Sequence, residues 1–280
     1  MKKVLGIVFL LVLSGCVPSQ NIKHSIPDSV DPPVTIKPLS GVIVIKPLQY
    51  KTVSVDKGET YYEVSGGSKK ALEKISSTGT KLGNVPFGDR FRTSIEIDNI
   101  KVSSNGGEPV PWDKVLSASM VHGANLEELE IGEFEISNLT EKEKSEYSDV
   151  AEMLEGGFRT VLGKGIGLYG KEISQGSDLL SIDSDAFLPV GDGSTKIHMK
   201  SIVIGKTEYF GVDCLVTQDS ISASAKGYYL KGGGYSILSI RDGAYLRFEY
   251  VTSGYQVVND VMVNTREYKY NKATSYVIDD

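Results

Sequence analysis

The chain has 280 residues, of which 40% are hydrophobic and 24% charged, so it can bury a core in one large domain or two small ones. Its formal net charge is −6, and an acidic chain gains nothing from phosphate contacts, which excludes nucleic acid as the expected partner. Its 30 glycines and 15 tyrosines point to many strands joined by tight turns.

Met1-Lys2-Lys3 is a short basic start, and Val4 to Leu13 (VLGIVFLLVL) is an apolar run. The run is too short for a permanent span, which needs roughly 20 residues, but it suits an export signal. Ser14 and Gly15 then precede Cys16. Leu13-Ser14-Gly15-Cys16 resembles the lipobox of bacterial lipoproteins. The resemblance covers only the start of the chain and implies no fold. It implies that residues 1–15 are a signal peptide, cut before Cys16, and that the Cys16 sulfur carries diacylglyceryl. In most Gram-negative species the new amino group is acylated as well. Two or three acyl chains hold a membrane firmly where one holds it marginally. In the sorting rule of this class, Asp after the cysteine retains the protein in the inner membrane. Val17 stands there instead, so the resemblance implies the outer membrane of a Gram-negative cell. Losing Lys2 and Lys3 with the signal takes the net charge from −6 to −8. A lipidated Cys16 leaves Cys214 without an intramolecular disulfide partner.

Residues 16–40 read as the lipidated N-terminus and a tether, because Pro18, Pro27, Pro32, Pro33 and Pro38 recur there among polar residues. Residues 41–280 read as a β-rich body, with a weak candidate division in the glycine-rich stretch 156–176. Val42-Ile43-Val44-Ile45 is a short apolar run. Thr52-Val53-Ser54-Val55 and Thr60-Tyr61-Tyr62-Glu63-Val64 are expected to form a hairpin around 56–59. Ala71, Leu72 and Ile75 suggest a short helix over 68–76. Phe91, Thr93, Ile95 and Ile97 alternate with polar residues, as in a half-buried strand ending near Asn105-Gly106-Gly107. The segment 112–121 fits either period.

Thr140 and Glu143 have capping-box spacing, and Tyr147, Val150, Ala151, Leu154 and Phe158 follow at helical spacing, which predicts an amphipathic helix over 140–157. Beyond it, strands are expected at 196–204, 207–217, 223–231, 235–241, 245–252 and 255–270. Gly205-Lys206, Gly232-Gly233-Gly234, Asp242-Gly243 and Ser253-Gly254 are the expected turns. Consecutive strands with short turns make an antiparallel meander. The expected fold is therefore mainly β with minor α: one or two twisted antiparallel sheets, with the helix packed on a face.

No motif carries chemistry convincingly. Gly165-Ile166-Gly167-Leu168-Tyr169-Gly170 matches a dinucleotide fingerprint but lacks the strand before it and the helix after it. Ser54-Val55-Asp56-Lys57 matches S-x-x-K of penicillin-recognising enzymes, but Ser54 lies in an alternating strand. His24, His122 and His198 form no ligand-spaced cluster, and Asp183 and Asp185 lack the rest of a calcium loop, so no metal or cofactor is expected. Cys214 shares a face with Val212 and Val216, as a small buried hydrophobe does. Asn138-Leu139-Thr140 fits the glycosylation pattern but reads as the helix entry.

Nine of the 15 tyrosines fall between Tyr228 and Tyr276. In 245–250 the period of two assigns Leu246, Phe248 and Tyr250 to the core and Tyr245, Arg247 and Glu249 to a candidate binding face. The expected function is a non-enzymatic outer-membrane lipoprotein that binds an envelope protein or glycan, with the membrane reached through the lipid on Cys16. The alternatives are an envelope hydrolase acting on glycan or peptidoglycan, whose carboxylates meet only in the fold, and a lipid-binding module with an apolar cavity.

Overall fold

The computed structural model describes residues 30–63, 69–104, 107–123, 130–146, 168–187, 194–225, 228–258 and 261–277. The lipobox, Cys16, His24, most of the expected helix and Gly165 to Gly167 lie outside them. Fourteen strands are described: β1 (Ile43–Val44), β2 (Tyr50–Glu63), β3 (Lys69–Phe87), β4 (Arg90–Ser104), β5 (Val110–Pro111), β6 (Leu116–His122), β7 (Glu130–Ile136), β8 (Glu172–Ile173), β9 (Asp178–Phe187), β10 (Ser194–Tyr209), β11 (Val212–Ala225), β12 (Tyr228–Ser239), β13 (Tyr245–Val258) and β14 (Val261–Val277). One helix, α1 (Glu141–Glu146), is described.

Twelve strands form one antiparallel sheet in the order β7-β6-β4-β3-β2-β14-β13-β12-β11-β10-β9, with β5 added beside β4. Two consecutive meanders, β2 to β7 and β9 to β14, are joined where β14 pairs with β2, from Glu267↔Tyr61 to Val277↔Lys51. A separate pair, β1 with β8, sits apart from this sheet through Ile43↔Ile173.

The core shows that the sheet curls. Ile95, Ala118 and Met120 come from one flank, and Val203, Leu215 and Leu238 from the other. They meet in one cluster around Leu39, Ile45, Leu168, Tyr169 and Ile173, which act as a plug between the flanks. A second cluster, Ile100, Leu116 and Ile136, packs Trp112 at the β7 side. On the opposite face of β11–β13, Cys214, Tyr235, Ile237 and Leu246 form a third cluster on which Val30 and Val34 pack, and Tyr50, which shares the β2 face of Thr52, joins it together with Ala244.

The C-terminal meander agrees with the expectation, but its breaks do not. Gly205 is not a turn; β10 runs through it with a bulge, and the incoming chain crosses there, with Lys37 and Lys206 exchanging two backbone hydrogen bonds of 2.8 Å. Thr35 O also accepts from Thr207 Oγ1 (3.0 Å), and Leu39 is core. The body therefore begins before residue 40, where composition alone extends the tether. Gly232-Gly233-Gly234 is likewise strand: a Cβ at Gly234 would collide with the Glu249 carbonyl oxygen, so glycine lets β12 lie close against β13. The turn at Asp242-Gly243 is present, with Gly243 at φ 72°.

Two N-terminal expectations are corrected and one ambiguity is resolved. Residues 56–59 are not a turn but the middle of β2, paired on both edges. Residues 69–76 lie in β3 rather than in a helix, because their backbone is taken by β2 on one side and, from Glu73 on, by β4 on the other; residue 68 lies outside the described residues. The ambiguous 112–121 stretch contains β6. The capping box is present: Thr140 N donates to Glu143 Oε2 (2.8 Å), and Glu143 N donates to Thr140 Oγ1 (3.3 Å). Lys114, 5% exposed, donates to Glu143 Oε2 (3.2 Å) and to the Asn138 carbonyl (2.6 Å), which ties the helix start to the sheet. Residues 147–157, and with them the predicted apolar helix face, lie outside the described residues.

Tyr50 stands opposite Gly83, and its ring occupies the space a Cβ there would need. Gly83→Ala should therefore destabilise the protein by about 1–3 kcal/mol, because a packed ring must shift. A urea melt with an unchanged midpoint would show that the ring is free to move.

Candidate binding recess

Three polar side chains of β2 and β3, Thr52, Ser54 and Lys81, point inward where an apolar residue is ordinarily expected. Thr52 and Ser54 are buried, whereas Val55 is 46% exposed. Lys81 pairs with Thr52 on one side and Ile95 on the other, so it shares their inner face, while its neighbour Leu82 is 38% exposed. An inverted pattern at the centre of a sheet costs hydrophobic burial, which marks the inner face as more than packing.

Across the curl, the inner face of the other flank carries Thr217, Ser236 and Tyr245. Thr217 Oγ1 and Ser236 Oγ donate to the two oxygens of Asp219 (2.8 and 2.5 Å). Tyr245 packs against the inner cluster, opposite Leu238. The sequence groups it with Arg247 and Glu249, but β13 carries one extra residue between the pairs Leu238↔Tyr245 and Ile237↔Arg247. This bulge at Leu246 shifts the period by one residue. Tyr245, Phe248 and Tyr250 thereby share the inner side, and Leu246, Arg247 and Glu249 the other. There Tyr235 Oη accepts from Arg247 Nε (2.7 Å) and donates to Glu249 Oε2 (3.0 Å), and the Arg247 guanidinium lies 3.4 Å from the same carboxylate. Arg247 and Glu249 together cap the fully buried Tyr235 ring.

The inner polar groups cluster near the plug. Lys81 Nζ sits 5.6 Å from the centroid of the Tyr50 ring. Burial pushes the Lys81 ammonium down to about 8. Burial also raises the phenols of Tyr50, Tyr169 and Tyr245, and Asp242 acts on the first two and Asp219 on the third. Asn84 lies in a bulge with φ 56°, a conformation asparagine tolerates. Its Nδ2 donates to the Leu48 carbonyl (2.9 Å) and to Tyr169 Oη (2.8 Å), and Tyr169 donates onward to the Asp242 carbonyl (3.1 Å). Asn84 N donates to Thr93 Oγ1 (3.2 Å), which also meets His122 Nε2 (3.0 Å). His122 Nδ1 faces the Gly123 carbonyl (2.8 Å), so Nδ1 holds the proton and Nε2 accepts from Thr93. Burial, aided by the Lys81 charge, holds the His122 pKa below its ordinary value.

Asn84 Oδ1 is the enclosed polar atom without a hydrogen-bond partner among the described residues. Lys81 Nζ and the hydroxyls of Tyr50 and Tyr245 also have no hydrogen-bond partner there, although they are not fully enclosed. The sequence gives no motif for this group, because its members come from β2, β3 and β13. The only local signal is the inverted polarity of Lys81-Leu82.

The other sequence candidates do not converge. Ser54 Oγ donates to Asp56 Oδ2 (2.9 Å) in mid-strand and opens no helix. His198 is exposed, opposite Asp183 in the β9–β10 ladder, and Asp185 stands opposite Lys196. Leu168 and Tyr169, from the glycine-rich motif, are plug residues. Cys214 is fully buried, and burial pushes its thiol up to about 12, which leaves it unreactive. Among the described residues no three His, Cys, Asp or Glu side chains are grouped for a metal ion.

Tyr169→Phe should destabilise the protein by about 1–3 kcal/mol, since it strips a hydrogen bond from the buried Asp242 carbonyl and from the Asn84 amide. Chemical denaturation checks this. A second expectation concerns acid. The folded His122 pKa lies below its unfolded value of about 6.5, so the unfolded chain takes up a proton first and stability falls as pH drops from there. His122→Asn should lower stability at neutral pH and flatten this decline. An unchanged slope between about pH 6.5 and 5 would remove His122 as its source.

No family model matches the chain, and no curated protein matches it. Among solved structures, a Bacteroides fragilis protein described as exported, with a YmcC-like fold, aligns over 84% of this chain and 99% of its own at 10% identity, with a TM-score of 0.27. So loose a superposition bears on neither the fold nor the function of this chain.

Proposed function

We propose that this chain is a lipid-anchored protein of the outer membrane whose curled sheet is a binding module for an envelope glycan rather than an enzyme. The anchor rests on the signal and on Cys16, hence on sequence alone. The tether would then run from Cys16 to Val30, where the chain packs on the third core cluster beside the β10–β11 turn. Among the described residues no helix is long and apolar enough to cross a membrane.

The observation that carries the binding function is the inner face of β2 and β3, polar where a sheet centre is ordinarily apolar, with Lys81, Tyr50, Tyr245 and Asn84 Oδ1 unpaired there among the described residues. Tyrosine rings beside free donors suit a sugar, which offers both an apolar ring face and acceptor oxygens. The inner carboxylate of Asp219 is held by two hydroxyls, an arrangement that suits support better than proton transfer. An envelope protein as partner would instead use an outer surface.

Labelling cells with an alkyne fatty acid tests the anchor. The wild-type protein should carry label in the outer-membrane fraction, and Cys16→Ser should carry none, because the thiol is the acyl acceptor. Equal label on both proteins would place the lipid elsewhere.

A further inference from the structure

We propose that the rim of the sheet where the chain enters is a membrane-contact surface, with the Phe210 and Phe87 rings set into the interface of the bilayer that the lipid on Cys16 reaches. This rests on the anchor proposed above and is independent of the glycan-binding function.

The β10–β11 hairpin supplies the main observation. Tyr209 pairs with Val212, so the loop is the two residues Phe210-Gly211, at φ 52° and 77°. Two positive φ values are the pattern of a type I′ turn, whose first central position is ordinarily asparagine, aspartate or glycine. A bulky ring there carries the strain of the left-handed backbone. Burial does not offset that strain: Phe210 is 77% exposed, the most of any large hydrophobic residue described, and its ring meets that of Tyr209 with 4.4 Å between centroids. A strained, exposed aromatic at a hairpin tip points to contact with something outside the fold.

The topology puts a second ring on the same rim. Because neighbouring strands are antiparallel, the β3–β4, β10–β11 and β12–β13 turns all lie at one end of the sheet. Phe87 closes β3 there, 42% exposed, with the Arg92 guanidinium 4.0 Å from its centroid. The incoming chain meets this rim too. Val30 and Val34 pack on the third cluster beside Tyr209 and Val212, and the chain then runs inward along β10, past Thr207 and Lys206. Val30 follows Cys16 by 14 positions, a reach of at most roughly 50 Å. The lipid therefore draws this rim toward the bilayer. Val110 and Tyr229 are exposed at the opposite rim, and the tether selects between the two. A bilayer interface accepts aromatic rings and an arginine at headgroup level. The acidic chain gains little from anionic lipid, so the rings carry the contact.

Hydroxyl-radical footprinting, read by mass spectrometry, tests this on the unaltered side chains. The full lipidated protein in vesicles of phosphatidylethanolamine and phosphatidylglycerol is compared with the full mature Cys16→Ser chain free in buffer. Oxidation of Phe210 and Phe87 should fall at least about threefold in the vesicles, while Tyr229 keeps its rate. Phe210→Asn suits the turn, so its urea midpoint should be unchanged or raised. In vesicles the same variant should raise Phe87 oxidation at least about twofold, because the rim has lost one of its two apolar contacts. Equal oxidation of Phe210 in the two preparations, or protection of Tyr229 in its place, would overturn the rim contact and leave the anchor standing. Protection in whole outer membranes but not in lipid vesicles would assign the rim to a protein partner and overturn the bilayer contact. A lowered urea midpoint in Phe210→Asn would show that the ring serves the fold and would overturn it as well. Absence of fatty-acid label on the wild-type protein would instead remove the anchor, and with it the reason for this rim.

Discussion

The pairing of β14 with β2 is the constraint on which the rest of the structure depends. It joins two meanders that are each local in sequence, through partners as far apart as Lys51 and Val277. Without it Tyr50 and Lys81 would belong to one sheet and Tyr245 to another, and the inner face would not exist. Closing so long a segment carries an entropic penalty that grows only slowly with length, but it must be met before the contacts that reward it form. The continuous eleven-pair ladder along this seam, unbroken by any bulge, is the reward.

The curl that follows is held by the plug rather than by side chains of the sheet alone. Ile45, Leu168, Tyr169 and Ile173 stand between flanks that would otherwise leave an open space, and each is 5% exposed or less. Tyr169 serves both purposes. Its ring fills the core beside His122, and its hydroxyl bridges Asn84 and Asp242. A buried polar network of this kind stabilises only when its members are satisfied, and here most are. The unsatisfied ones, Asn84 Oδ1 and the inward donors, lie on the inner face. Natural sequences break local rules where function requires it, and the inverted polarity of β2 and β3 is such a break.

Small backbone irregularities decide where side chains point. The bulge at Leu246 sends Tyr245 inward and sets Arg247 and Glu249 beside Tyr235 on the other face. The bulge near Asn84 aims its side chain at Tyr169, and the one at Gly205 makes room for the incoming chain at Lys37. Each adds one residue to one strand, and each reverses the in-and-out assignment beyond it.

By itself the sequence determined the class of the fold, the existence of the C-terminal meander, the strand around Thr93 and Ile95, the capping box of Thr140 and Glu143, and the burial of Cys214. These depend on composition, short-range spacing and a period of two, all of which are local. It also supplies the whole case for the lipid anchor, which is a matter of residue order around Cys16. Tertiary structure alone decided that 56–59 and the three glycines at 232–234 are strand rather than turn, because glycine favours a turn only until a neighbouring strand claims its backbone. It alone decided that Lys81 points inward and Leu82 outward, since residue polarity predicts the reverse and the register with Ile95 overrules it. The inner polar face has no linear signature for the same reason: Tyr50, Lys81 and Tyr245 share no spacing, and only the closure of the sheet puts their strands in one sheet.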